Sequence, residues 1–377
     1  MNLHQRIFVA IFAVLAFAAT TLPAAPQPQL VKDIFAGLNT ASSSPENFFA
    51  IGSTLFFTAV DSTHGRELWK TDGTVEGTAM VRDISAGANS SNPVNLTAMD
   101  GMLYFRATDG SYGTRLWKSD GTEAGTVSIE DSAPYSSQLT AMGGSLYFRG
   151  SDAATGLELW RTDGTGAGTT LVRDINAGAG SGFPASLTAV GNRLFFTATD
   201  GATGVELWTS DGTEAGTVCV MDIEPGAGSS TPSSFASMGG MLYFQARDST
   251  NGWAVWKTDG TPAGTVRLAG TGANTAAPQA VLGDTLYFAA QPPGFTGLWK
   301  SDGTPENTVL VKEFTAGTGS PRNFTAAGSI LYFTGASGAI WRSDGTTAGT
   351  AQVIQFPWKI LLGNLTANGV QDFLRKS

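Results

Sequence analysis

The sequence predicts an all-β chain assembled from one four-stranded unit used repeatedly. Tryptophan recurs at Trp69, Trp117, Trp160, Trp208, Trp256, Trp299 and Trp341, in steps of 48, 43, 48, 48, 43 and 42 residues. Each step holds four short segments rich in Leu, Val, Phe, Tyr and Trp, separated by Gly, Asp, Asn, Ser and Pro. That is the composition of strands and turns. Beyond the N-terminal leader, no stretch repeats apolar residues with a helical period. Four strands in every 42 to 48 residues is the pattern of a β-propeller blade. A β-solenoid would use shorter repeats without a tryptophan-centred hairpin.

Taken in order, the chain opens on Arg6, an apolar run from Ile7 to Ala19, and the small, proline-containing "TTLPAAPQP". The run is too short to span a bilayer, so residues 1–25 read as a signal peptide, approximate at its cleavage point. Residues 26–377 read as a single propeller domain with no membrane span. "LVKDI" (30–34) matches the fourth strand, D, of a unit whose A, B and C strands do not precede it. Seven full units follow; in the second they are "NLTAM", "LYFRAT", "RLWKS" and "GTVSIED". "NLTANGVQDFL" (365–374) aligns with the A and B strands "NLTAMDGMLYF". Seven full repeats plus a composite eighth blade closed by both termini account for the two ends; seven blades is the alternative.

Spacing separates scaffold from variable parts. Asp72 to Asp83 spans eleven residues, as do Asp120 to Asp131, Asp163 to Asp174 and Asp211 to Asp222. Length varies only in the D–A and B–C connections: Asp83 to Leu96 is thirteen, Asp131 to Leu139 eight. In an up-and-down blade these two connections share one end, and the constant A–B and C–D turns share the other. The aspartates Asp72, Asp120, Asp163, Asp211, Asp259, Asp302 and Asp344 of the C–D turns are therefore expected to be structural. Each would accept backbone N–H bonds, with the following Gly at positive φ and the Thr returning to strand. The seven tryptophans are expected to pack between blades, where a large flat side chain fills the wedge.

"ELWKTDGTVEGT", "ELWRTDGTGAGT" and "ELWTSDGTEAGT" carry a further signal. Over about residues 30 to 374 the chain resembles the ELWxxDGT repeat family of exported, mostly bacterial proteins. The resemblance implies a secreted repeat protein and brings no catalytic residues. The turn also resembles the Asp-box of sialidase-type propellers, itself a structural hairpin. Departures are Arg115 for the Glu, Ala254 in the fifth copy, Asn307 for Gly and the shortened "TGLW" of the sixth.

Composition narrows the chemistry. A formal charge of −9 without basic clusters argues against nucleic acid and anionic membranes. His64 is the single histidine past the leader and Cys219 the single cysteine, which leaves no zinc set and no Cys–His pair. Acidic residues are the remaining candidates. Asp61, Asp109, Asp152, Asp200 and Asp248 open B–C connections, and Asp83, Asp174 and Asp222 end D strands. On one end of the blades they could hold Ca²⁺ or a polyhydroxylated ligand; capping of their own loops is the plainer reading and the favoured one. Otherwise no cofactor is expected. The leading function is an exported, monomeric, non-enzymatic binding or adhesion module for a protein or glycan. A propeller glycoside hydrolase or lyase, which needs paired carboxylates or an arginine group, and a structural cell-surface scaffold are the alternatives.

Overall fold

The computed structural model describes residues 29–35, 42–111, 113–129, 137–268, 276–291, 295–314, 320–335 and 339–354. They form seven four-stranded antiparallel sheets, and no helix occurs among them. In the first sheet A is Glu46–Ile51, B is Thr54–Val60, C is Arg66–Thr71 and D is Ala79–Arg82. The others occupy residues 94–128, 137–173, 185–221, 233–267, 276–314 and 322–354, each a meander in chain order. The chain divides into two compact units, residues 1–150 with 162–170, and 151–161 with 171–377.

The B strands are the core of each blade. "LYF" and "LFF" are continuous apolar runs because an inner strand is covered on both faces. Leu103, Phe105, Leu194, Phe196, Leu242, Phe244, Leu331 and Phe333 are fully buried. Each tryptophan sits on the C strand opposite a B-strand Phe, as in Phe57↔Trp69, Phe105↔Trp117, Phe196↔Trp208 and Phe333↔Trp341. Phe288 and Trp299 stack at 6.4 Å. These pairs join successive blades. Trp117 shares a cluster with Phe56, Leu68 and Val81 of the preceding blade, and Trp256 with Phe195, Leu207 and Val220. Trp341 packs with Leu298 and Val311 in the same way. Trp160 is half-buried, and its indole N–H, like those of five other copies, is buried without an acceptor.

Two expectations are corrected. "LVKDI" does not form a strand, because a strand needs a ladder partner and none adjoins it among the described residues. It nonetheless occupies the place of one. Lys32 Nζ donates to Thr78 O at 2.6 Å, as Arg82 Nη1 does to Thr126 O and Arg173 Nη1 to Thr217 O, both at 2.8 Å. Ile34 packs on Phe57, Ala59 and Trp69. The described chain thus has seven blades and no eighth. The "NLTANGVQDFL" segment assigned to an eighth, Asp131, and the leader lie outside the described residues.

Candidate functional site

The second correction lies in the octet turn, the C–D turn entered from "ELWKTDGT" (67–74). Thr74 does not return to strand, since the turn continues to Thr78 before the D strand begins at Ala79. The reason is a closed hydrogen-bond network. Asp72 Oδ1 accepts from Thr74 N at 2.9 Å and Thr74 Oγ1 at 2.7 Å. Thr74 Oγ1 accepts from Gly77 N, and Thr78 Oγ1 donates to Thr74 O. Thr71 Oγ1 accepts from Gly73 N and pairs with Thr78 Oγ1. The Asp–Thr pairs repeat at Asp120, Asp163, Asp211, Asp259, Asp302 and Asp344. Where Asn307 replaces the second glycine, its Nδ2 donates to Asp302 Oδ2 at 2.7 Å and keeps the carboxylate engaged. Lysine of the octet ties one blade to the next: Lys70 Nζ donates to Gly121 O, and Lys118 Nζ to Gly164 O, both at 2.8 Å. The turn thus closes mainly on itself and on the neighbouring blade, as a scaffold element does.

The other end of the blades carries the variable connections. In the first blade Gly65 N donates to Gly87 O at 3.3 Å and Arg66 N to Ser90 Oγ at 2.8 Å, which brings the B–C and D–A connections together. Ser181 and Ser229 repeat the second bond with Leu157 N and Val205 N. Beneath them lies a layer of buried carboxylates. Glu67, Glu158 and Glu206 are fully buried. The Glu67 carboxylate accepts from Ile84 N (3.1 Å), Ser91 N (2.9 Å) and the Ser91 hydroxyl. Glu158 takes Ile175 N and Gly182 N, and Glu206 takes Ile223 N and Ser230 N. A carboxylate has acceptor sites for several donors, so one side chain folds a long loop around itself. The signal was in the sequence. Blades with this Glu have thirteen residues from the D-strand Asp to the next A-strand apolar residue, and the Arg115 blade has eight.

The candidate aspartates sit around these anchors, each holding its own loop. Asp61 Oδ1 accepts from Thr63 N (2.8 Å) and His64 N (2.6 Å), Asp152 Oδ1 from Ala154 N and Thr155 N, and Asp200 Oδ1 from Ala202 N and Thr203 N. Asp109 accepts from Ser111 N and Asp248 from Asn251 N. Asp83, Asp174 and Asp222 accept from Gly87 N, Gly178 N and Gly226 N. The two sets meet in the first blade, where His64 Nδ1 lies 2.8 Å from Asp61 and Nε2 3.9 Å from Asp83. The hydrogen bond that His64 makes to the Asp61 carboxylate leads in raising the His64 pKa. Burial alone would raise that of Asp61, but bonds from His64 and Thr63 hold it at about 2. Among the described residues no group of three or more His, Cys, Asp or Glu has a metal-binding arrangement. Thermal melts in millimolar Ca²⁺ and in chelator are therefore expected to superimpose. A rise in Tm with Ca²⁺ that simple salt does not reproduce would restore a cation site.

Titration follows the two ends in opposite directions. Burial pushes the Glu158 carboxyl up to about 6, against the pull of Ile175, Gly182 and Asn176 N–H groups. A folded-state pKa above the unfolded 4.5 means the folded chain binds the extra proton. Its contribution is complete below about pH 4.5 and is lost as pH rises through about 6. Burial raises Glu67 and Glu206 likewise. The turn aspartates run the other way, because the threonine hydroxyl and amide lower their pKa values. Their contribution is present above the ordinary 3.8 and lost as pH falls through the folded value. The denaturant midpoint is expected to rise from pH 7 to pH 5, and the rise to be smaller in Glu158→Gln. A flat profile in the unaltered protein would remove this assignment. Cys219 takes no part: its thiol is pushed up to about 12 by burial, with Glu206 adding to the shift.

A second feature escaped sequence reasoning. The A strands carry a bulge at which a polar residue has positive φ: Asn47 (54°), Asn95 (58°), Gln138 (63°), Ser186 (56°), Ser234 (56°) and Asn323 (52°). Register slips at this point, as between Val94 and Thr97 against Arg106 and Tyr104. Short polar side chains are the non-glycine residues that best tolerate left-handed backbone, and the bulge turns them outward to solvent. Nothing in a five-residue "NLTAM" marks it.

No family model and no curated protein matches the chain. Solved structures do. A prolyl endopeptidase, one of two analysed for inter-domain dynamics, is 10% identical with a TM-score of 0.50, over 82% of this chain and 49% of its own. The computationally designed Ika8 protein is 15% identical over 83% of this chain and 86% of its own, at a TM-score of 0.47. A puromycin-hydrolyzing peptidase of Mycobacterium tuberculosis is 14% identical over 83% and 53%, at 0.41. The chain spans about half the length of the peptidase chains it matches. At such identity the first likeness speaks to fold alone: seven four-stranded antiparallel blades of a β-propeller.

Proposed function

We propose that this chain is an exported, non-enzymatic binding module that presents its B–C and D–A connections to a protein or glycan. The observation that carries the reading is the division of labour within each blade. Octet turns of constant length close through their own Asp–Thr bonds, while connections of varying length are held by buried glutamates and capping aspartates. Variable loops on a rigid scaffold are how binding surfaces are built. Export rests on the leader pattern of residues 1–25, and membership of the ELWxxDGT repeat family would agree with it.

The test is to screen the purified protein on a glycan array and by protein pull-down. A retained ligand should bind more weakly when the 61–65 connection is replaced by a shorter one. It should bind unchanged to the folded fraction of Asp163→Ala. Chemical turnover of the ligand, or binding that vanishes with Asp163→Ala at unaltered stability, would overturn the reading.

A further inference from the structure

In the first blade the B–C connection, residues 61–65, and the D–A connection, residues 83–93, lie one against the other. A Cβ added to Gly65 would collide with the Asn89 carbonyl, so the two backbones touch. His64 stands at this contact with each ring nitrogen toward a different connection. Its Nδ1 is 2.8 Å from Asp61 Oδ2 on its own side, and its Nε2 is 3.9 Å from Asp83 Oδ2 on the other. The repeat supplies the comparison. At the same position, three residues after the aspartate that opens the connection, the third, fourth and fifth blades have Thr155, Thr203 and Asn251. Each bonds its own aspartate, at 3.0, 3.0 and 2.9 Å. Imidazole Nδ1 does the same for Asp61 and leaves a second nitrogen to reach across.

Protonation decides what that second nitrogen does. Nδ1 faces a carboxylate, which only accepts, and the Thr63 hydroxyl beside it already donates to Asp61 Oδ1. The neutral ring therefore carries its proton on Nδ1 and presents a bare Nε2 lone pair to Asp83. Two acceptors then face each other, and the ring draws nothing together. In the imidazolium both nitrogens donate, and the positive ring lies between two carboxylates. Both are held in place for it: Gly87 N donates to Asp83 Oδ2 at 3.0 Å, and Thr63 N and His64 N donate to Asp61 Oδ1. Of the other charges nearby, Glu67 on the C strand adds to the negative field, and Arg66 is turned to Glu46 of the A strand at 3.7 Å. The hydrogen bond to Asp61, then the charges of Asp61, Asp83 and Glu67, raise the His64 pKa above 6.5 against the effect of burial. The contribution of the charged ring is full below pH 6.5 and is lost as pH rises through the folded value.

We propose that His64 is an acid-operated clasp: protonated, it ties the first blade's B–C connection to its D–A connection through Asp61 and Asp83, and neutral, it caps its own loop alone. Acid thereby firms one of the loops that the binding-module reading presents, but the clasp belongs to the fold and its test needs no ligand. His64→Asn copies the fifth blade, keeping a cap for Asp61 while removing the titrating group. Asp83→Asn keeps an acceptor for Gly87 N while removing the charge on the far side. The full chain has two histidines, His4 and His64, so the imidazole proton resonance missing from His64→Asn is that of His64. That resonance is expected to titrate above pH 6.5 in the parent and to move down in Asp83→Asn. Amide exchange at Gly65, corrected for its intrinsic rate, should slow by up to about fivefold between pH 8 and pH 6, the scale of a partly exposed ion pair. The gain should vanish in His64→Asn. A His64 resonance that titrates at or below pH 6.5, or that Asp83→Asn leaves in place, would show a loop cap and overturn the clasp. So would Gly65 protection that keeps its pH dependence in His64→Asn, since Glu67 or the stability of the whole fold would then be its source.

Discussion

Gly164→Val is expected to destabilise the protein by about 3 kcal/mol or more. Two costs combine. Gly164 has φ 91°, where a β-branched side chain is a true outlier. Any Cβ there would also run into the Tyr104 hydroxyl of the neighbouring blade, whose ring is buried and cannot withdraw. Gly178 separates the two costs: its φ is 90°, yet nothing lies within 4 Å of a Cβ added there. Gly178→Val should therefore lose the backbone part alone. Asp163→Ala, which removes a cap from an exposed turn, should lose only about 1 kcal/mol. Urea midpoints of the three variants make the comparison. Equal midpoints for Gly164→Val and Gly178→Val would mean that contact with the neighbouring blade contributes nothing.

Glu206→Ala should cost about 3 kcal/mol. The substitution strands Ile223 N and Ser230 N, both held by the buried carboxylate, and the Ser230 hydroxyl loses its acceptor as well. Glu206→Gln retains one acceptor oxygen and should cost less, on the order of half as much. Amide hydrogen exchange at residues 223 and 230, read beside the denaturant midpoint, reports whether the D–A connection has come loose. An Ala variant as stable and as protected as the parent would show that water replaces the carboxylate without loss.

The sequence by itself determined the unit and its seven copies, which the period writes along the chain, and the capping Asp and positive-φ Gly of the octet turn, whose bonds close within eight residues. Thr71 to Thr78 contains its own donors and acceptors, so eight letters suffice to specify it. Strand order within a blade followed for the same reason: each strand pairs with the next one along the chain. Tertiary structure decided whatever depends on partners far along the chain. Glu67 is an anchor only because Ile84 and Ser91, 17 and 24 residues on, fold back over it. "LVKDI" has the letters of a D strand and the contacts of one through Lys32 and Ile34, yet strand formation needs a ladder partner that no local pattern supplies.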